Sequence, residues 1–129
     1  GPEEFSMKET YATKYSHVKR FDAVAVLKPH GDLTGGEETD ELEKLIEEFD
    51  SKGLRCLVIN LVGVGMVNSL ALSRLIRGHL KFSKRGARMT LCNLDQRIQN
   101  VFVITKLSME FHVYPNEETA IAGCADQEP

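Results

Sequence analysis

The sequence predicts an α/β protein: a mixed, mostly parallel sheet of about four to five strands, about four helices and a β-hairpin at the amino end. Three observations lead there. The run "CLVINL" (Cys56–Leu61) is apolar at every position but Asn60, as a strand covered on both faces must be. Leu42, Leu45, Ile46 and Phe49 recur at the i, i+3, i+4, i+7 spacing of a helix with one buried face. After the first hairpin, strand-like and helix-like stretches alternate, which implies right-handed crossovers.

Along the chain, "ETYATKYSHV" (residues 9–18) is rich in Thr, Tyr and Val and polar enough to be an edge strand. "KRFD" turns the chain into a second strand, Ala23–Pro29, close enough in sequence to pair antiparallel. "HGDLTGG" (His30–Gly36) is a loop in which Thr34 is a candidate cap for the acidic helix that follows. Gly53 ends that helix. The central strand "LRCLVINLVGV" leads into a second helix, Asn68 to about Arg85, with Leu72, Leu75, Ile76 and Leu80 facing inward.

"ARMTLCNL" (Ala87–Leu94) is the next strand. A third helix covers Asp95–Leu107, with Ile98, Phe102 and Ile104 or Thr105 on one side. "EFHVYP" (Glu110–Pro115) is a short strand. A last helix is capped by Asn116, carries Glu117 and Glu118 in its first turn and stops at Gly123. Residues 1–6, "GPEEFS", are read as a cloning scar, 7–123 as one domain and 124–129 as a flexible tail.

At 129 residues the chain suits one domain with a sizeable core, and 42% hydrophobic with 27% charged residues is ordinary for a soluble protein. No apolar stretch reaches the roughly 20 residues of a membrane span, and no secretory signal opens the chain, so membrane insertion is not expected. Without Glu3 and Glu4 the formal charge of −3 becomes about −1, which points to no nucleic-acid partner. Cys56, Cys92 and Cys124 are odd in number and widely spaced, and read most simply as free thiols in a reducing, cytoplasmic compartment.

Catalytic motifs are missing from the sequence. His17, His30, His79 and His112 lack metal-ligand spacing, Ser69 and Ser73 sit in no GxSxG elbow, and "VGVGMVNS" lacks the GK[ST] of a phosphate loop. No enzyme, cofactor or metal is therefore expected, although backbone N–H groups at that turn leave nucleotide contact physically conceivable. Charge is more informative. Gly35–Lys52 carries Glu37, Glu38, Asp40, Glu41, Glu43, Glu47, Glu48 and Asp50, whereas Arg74, Arg77, Lys81 and Lys84 form a stripe on the second helix. Two solvated helix faces partly neutralising each other are the plain explanation. A docking surface for an acidic partner patch is the functional one.

Asn68 is a favoured N-cap, and it places Val67 and Leu72 at the positions of a hydrophobic staple. Ser69 then opens the helix, exposed among unpaired N–H groups. A phosphate there would add about −1.5 to −2 charges without unfolding the host.

From about Tyr11 to Gly123 the chain resembles the STAS domain, the fold of bacterial anti-sigma-factor antagonists. The matching stretches are "GDLT" (Gly31–Thr34), "LVINLVGVGMVNSLAL" (Leu57–Leu72), "RGARMTLCNL" (Arg85–Leu94) and "HVYPNEETAI" (His112–Ile121), in the family's order and spacing. The resemblance implies a partner-switching protein of transcription regulation. It would bind a GHKL-type serine kinase that is also an anti-sigma factor, with phosphorylation at Ser69 reversing the binding. The implied partner surface comprises Asp32, Thr34, Gly35, Asn68, Ser69, Leu70, Ser73 and Arg74; the oligomeric state stays open, a homo-oligomer included. The chain departs from the family pattern at Asn68 and Thr34, where the pattern has aspartate, and at Leu70 and Ala71, where the pattern has serine and glycine. Those departures also admit a STAS scaffold or regulatory subunit that is not phosphorylated, as in stress-signalling or lipid-transport complexes.

Overall fold

The computed structural model describes residues 6–107 and 110–125. Residues 1–5 of the expected scar and 126–129 of the expected tail lie outside the described residues. The element order is β1 (Glu9–Ala12), β2 (Ser16–Arg20), β3 (Val24–Pro29), α1 (Glu37–Ser51), β4 (Cys56–Asn60), α2 (Ser69–Lys84), β5 (Arg88–Cys92), α3 (Gln96–Ile104), β6 (His112–Tyr114) and α4 (Glu117–Ala125). The strands form one six-stranded sheet in sequence order. β1–β2 and β2–β3 are antiparallel, and every later pair is parallel.

β4 is buried at all its positions, as its apolar run requires. Its alternation splits the interior in two. Leu57 and Ile59 join Ala25, Leu27, Met89 and Leu91 in the main core, with the apolar faces of α1, α2 and α3. Cys56 and Val58 join Val24, Val26 and Cys92 in a smaller core, to which α4 contributes Ala120 and Cys124. In α1 the four anticipated side chains Leu42, Leu45, Ile46 and Phe49 are all buried. Gly53 adopts φ +74°, the left-handed geometry that glycine takes past a helix end.

Several details differ from expectation. The stretch 9–18 is two strands, which raises the strand number to six. Thr13 N–H donates to Ser16 O (2.8 Å) and Ser16 N–H to Thr13 Oγ1 (3.0 Å). Glu41 on α1 then accepts from Thr13 Oγ1 (2.6 Å) and Tyr15 N–H (3.3 Å), so a distant helix fixes this turn. Thr34 does not cap α1; Gly36 occupies the N-cap position.

Two helices are rotated or trimmed relative to the anticipated faces. Leu75 of α2 is buried as expected, but Leu80 is 52% exposed, and Ala71, Gly78 and Phe82 take the inner positions, with Leu72 and Ile76 only partly covered. α3 ends at Ile104, whose side chain faces solvent at 79% exposure, leaving Ile98 and Phe102 as its buried pair. α4 continues through Gly123 to Ala125, and Cys124 lies buried in it rather than in a tail. Cys124 is joined to Cys56 in a disulfide and only Cys92 is a free thiol, which corrects the reading of all three as free.

The rotation of α2 follows from how closely α1 approaches it. A Cβ added at Gly78 would stand 2.9 Å from Ile46 Cγ2 and 3.1 Å from Met89 Sδ. Glycine is there to admit the neighbouring helix and the sheet. Gly78→Ala should therefore destabilise the fold by about 1–3 kcal/mol, its overpacking outweighing the gain in helix propensity. Chemical denaturation would show a lower midpoint at unchanged m-value.

Candidate protein-docking site

Leaving β4, the chain passes Gly63, where a Cβ would lie 3.0 Å from Pro29 O, so glycine permits the backbone to cross the end of β3. Gly65 N–H donates to Asp32 Oδ1 (2.9 Å). An isolated parallel bridge joins Leu33 to Val67, with Leu33 N–H donating to Met66 O (2.9 Å) and Asn68 N–H to Leu33 O (3.0 Å). The loop after β3 is thus sewn to the segment that enters α2.

Asn68 completes the seam. Its Oδ1 accepts from Ala71 N–H (3.0 Å), capping α2, while its Nδ2 donates to Thr34 O (2.7 Å). Val67 and Leu72, the pair of the expected staple, each pack against the main core. Gly35 has φ +85°, and a Cβ there would come within 2.9 Å of Leu70 Cδ2. On the other flank Glu38 folds back over the loop. Its carboxylate accepts from Thr34 Oγ1 (2.7 Å), Thr34 N–H (2.9 Å), Gly36 N–H (3.3 Å) and Thr39 N–H (2.9 Å). These donors, the Thr34 hydroxyl foremost, lower its pKa to about 2.

Asp32, Thr34, Gly35, Asn68, Ser69 and Leu70 therefore converge on one surface. Ser69 is exposed in the first turn of α2, and Leu70 beside it is 43% exposed. Ser73 lies a turn further on and donates its hydroxyl to Leu70 O (2.6 Å). Arg74 is turned toward α1, its Nε 3.2 Å from Glu43 Oε2. Arg77 pairs with the same carboxylate, Lys81 with Glu47 and Arg85 with Asp50. Most of the basic stripe is accordingly matched by the acidic face of α1, the plainer of its two explanations.

The sequence reading overlooked an apolar rim. Val62 and Met66, on the connection ahead of α2, are exposed, as are Val101, Val103 and Ile104 on α3. Met66, Val67, Leu72, Ile98, Val101 and Phe102 line a cleft of about 190 Å³ between α2 and α3. The signal was in the composition of α3, which holds more apolar residues than one buried face needs. Among the described residues no group of three or more His, Cys, Asp and Glu side chains is placed to hold a metal, and no helix is long and apolar enough to cross a membrane.

The fold and this seam define a class. The sequence pattern of the STAS domain matches residues 15–120, and the chain belongs to the STAS-domain family. Among solved structures it is similar to a putative anti-sigma-factor antagonist from Thermotoga maritima, with TM-score 0.77 and 22% identity over 84% of this chain and 92% of that one. An anti-sigma-factor antagonist from Mycobacterium paratuberculosis gives TM-score 0.74 and 23% identity over 98% of both chains. The Bacillus cell-fate determinant SpoIIAA in its phosphorylated form gives 0.63 and 14% over 92% and 98%. No curated protein matches the sequence.

Two outcomes test the seam. Asn68→Ala should cost about 1–2 kcal/mol, since it removes a helix cap and leaves Thr34 O without its amide donor. Thermal unfolding followed by circular dichroism measures it. Acid should loosen the loop through Glu38. Its folded pKa is depressed, so its stabilising contribution is present above the ordinary value of 4.5 and is lost as pH falls toward about 2. Amide shifts of Thr34–Thr39 should titrate over that window and stop doing so in Glu38→Gln.

Proposed function

We propose that this protein is an anti-sigma-factor antagonist that binds an anti-sigma factor, itself a GHKL-type serine kinase, through the surface made by Asp32–Gly35 and Asn68–Arg74. Phosphorylation of Ser69 is the switch. The observation that carries this reading is the exposure of Ser69 as the first residue of α2, on a backbone seam that is fixed without its hydroxyl. A phosphate at this position would lie near N–H groups that the helix does not pair and would meet the positive end of the helix dipole. The fold would survive it. A partner fitted against Leu70 and the exposed rim would have to accommodate both its bulk and its charge. Likeness of fold to proteins described as anti-sigma-factor antagonists, one of them in a phosphorylated form, supports the same reading.

A second reading is a STAS scaffold or regulatory subunit that binds its partner constitutively. What favours it is Asn68, where the family pattern has an aspartate. Its amide is committed on both sides, to Ala71 N–H and to Thr34 O, and supplies no anion to orient a neighbouring hydroxyl.

Incubation with the anti-sigma kinase and ATP, followed by intact mass, separates the two. The switching protein gains one phosphate on Ser69 and none in Ser69→Ala; a chain that binds the kinase yet never gains a phosphate is the scaffold. Ser69→Glu should weaken binding about a hundredfold, a loss of roughly 3 kcal/mol. Its thermal midpoint should stay close to that of the unmodified chain. Equal loss of binding and stability would make Ser69 structural instead.

A further inference from the structure

On the side of the sheet away from Ser69, α4 packs on β4, β5 and β6 with few large side chains of its own, its Gly123 backed against the Tyr114 ring. Its fully buried side chains are Ala120 and Cys124, with Ile121 only partly covered, whereas α1 buries Thr39, Leu42, Leu45, Ile46 and Phe49. A helix this short is marginal without packing, and Gly123 within it is a poor helix former. Its amino end is well fastened. Asn116 Oδ1 accepts from Thr119 N–H (2.9 Å), and Glu117 takes a bond from Asn60 Nδ2 (2.7 Å) and pairs with Lys19. Its carboxyl end is fastened covalently by the disulfide between Cys124 and Cys56 of β4, both fully buried and 68 residues apart in sequence, beside one long hydrogen bond from Arg88 Nη1 to Gly123 O (3.4 Å).

We propose that the Cys56–Cys124 pair is a thiol–disulfide latch: oxidised, it clamps α4 on the sheet; reduced, it lets the carboxyl-terminal half of α4 open about its anchored amino end. Opening uncovers Val58 of β4 and loosens the small core in which it is buried with Val24, Val26, Ala120 and Cys124.

The chemistry balances with small thiols and disulfides as co-reactants. In closing, the Cys56 and Cys124 thiols give up two protons and two electrons to a low-molecular-weight disulfide. Its S–S bond breaks to two thiols as the protein S–S bond forms, by way of a mixed disulfide. In opening, a dithiol attacks the protein disulfide and leaves as a cyclic disulfide, returning two protons and two electrons to the cysteines. Because both sulfurs are shut away from solvent, either exchange has to pass through a state with α4 lifted. Redox state and helix docking are thereby coupled. Cys92 plays no part: it is the buried free thiol, and burial pushes its pKa to about 12.

The test uses the whole chain without substitution. After equilibration with oxidised glutathione, acid quench and alkylation under denaturing conditions, one thiol should be labelled, and after dithiothreitol all three. Hydrogen exchange by mass spectrometry on the two folded forms should show residues 121–125 exchanging about tenfold faster or more after reduction, with the anchored amino end of α4, α1 and α2 unchanged. Cys124→Ser should exchange at the fast rate in either redox buffer. Three labelled thiols after glutathione disulfide would overturn the latch. So would equal α4 protection in the two unsubstituted forms, a comparison that stands even if Cys124→Ser fails to fold.

Discussion

Burial of β4 on both faces is the constraint from which the remaining geometry follows. A strand with no solvent-facing side needs a layer above and a layer below, so α1 and α2 cover one face and α4 covers the other. It also needs paired backbone on both sides, supplied by β3 and β5 in parallel register. Parallel neighbours bring the chain back by helical crossovers, and the next connections therefore leave from the carboxyl ends of the strands. The loop after β3 and the loop after β4 emerge side by side there. Their mutual hydrogen bonds, through Leu33, Met66 and Asn68, are a consequence of that adjacency.

Asn68 shows how one side chain answers two demands at that junction. Capping α2 needs an acceptor, and holding Thr34 O needs a donor. An amide offers both; a carboxylate offers only acceptors and would face the Thr34 carbonyl with like charge. With asparagine here, the seam is neutral and complete whether or not Ser69 carries a charge. The cost is chemical, because the residue before Ser69 brings an amide and no carboxylate. Negative charge stands elsewhere around the loop, at Asp32, which accepts from Gly65 N–H, and at Glu38 on the far flank, where four donors surround its carboxylate.

The sequence was most readable where one periodic pattern met one physical demand. β4, the inner face of α1, the Asn68 and Asn116 caps and the glycine at position 53 are all of that kind. It was least readable where a distant element decides. Nothing local to "ATKYS" reveals that Glu41 will tie the turn between β1 and β2. Periodicity ranks leucine above glycine, so it favoured Leu80, whereas close approach of Ile46 and Met89 selects Gly78 for the inner face. Cysteine spacing is silent on pairing, and only the stacking of α4 over β4 brings residues 56 and 124 together. Of the candidate surface, the junction at Asn68 was legible and the apolar rim was not, because its parts come from the β4–α2 connection and from α3.

Charge pairing within the protein narrows what a partner could recognise. Arg74, Arg77, Lys81 and Lys84 look in the sequence like an invitation to an acidic surface. In the fold the first three, with Arg85, face Glu43, Glu47 and Asp50 across the α1–α2 contact, so their field at a distance is largely cancelled. Exposed pairs of this kind contribute little stability, but they leave little net charge to steer a partner along that stripe. The surface around Ser69 differs. It has no acidic residue in the first turn of α2, and Leu70 and Met66 stand exposed beside it. Recognition there would rest on shape and apolar contact, with Asp32 and Glu38 as the carboxylates of the adjoining loop and Ser69 as the point where an added charge would be felt. For that reason a single phosphate could matter more at this helix end than any one cation of the stripe.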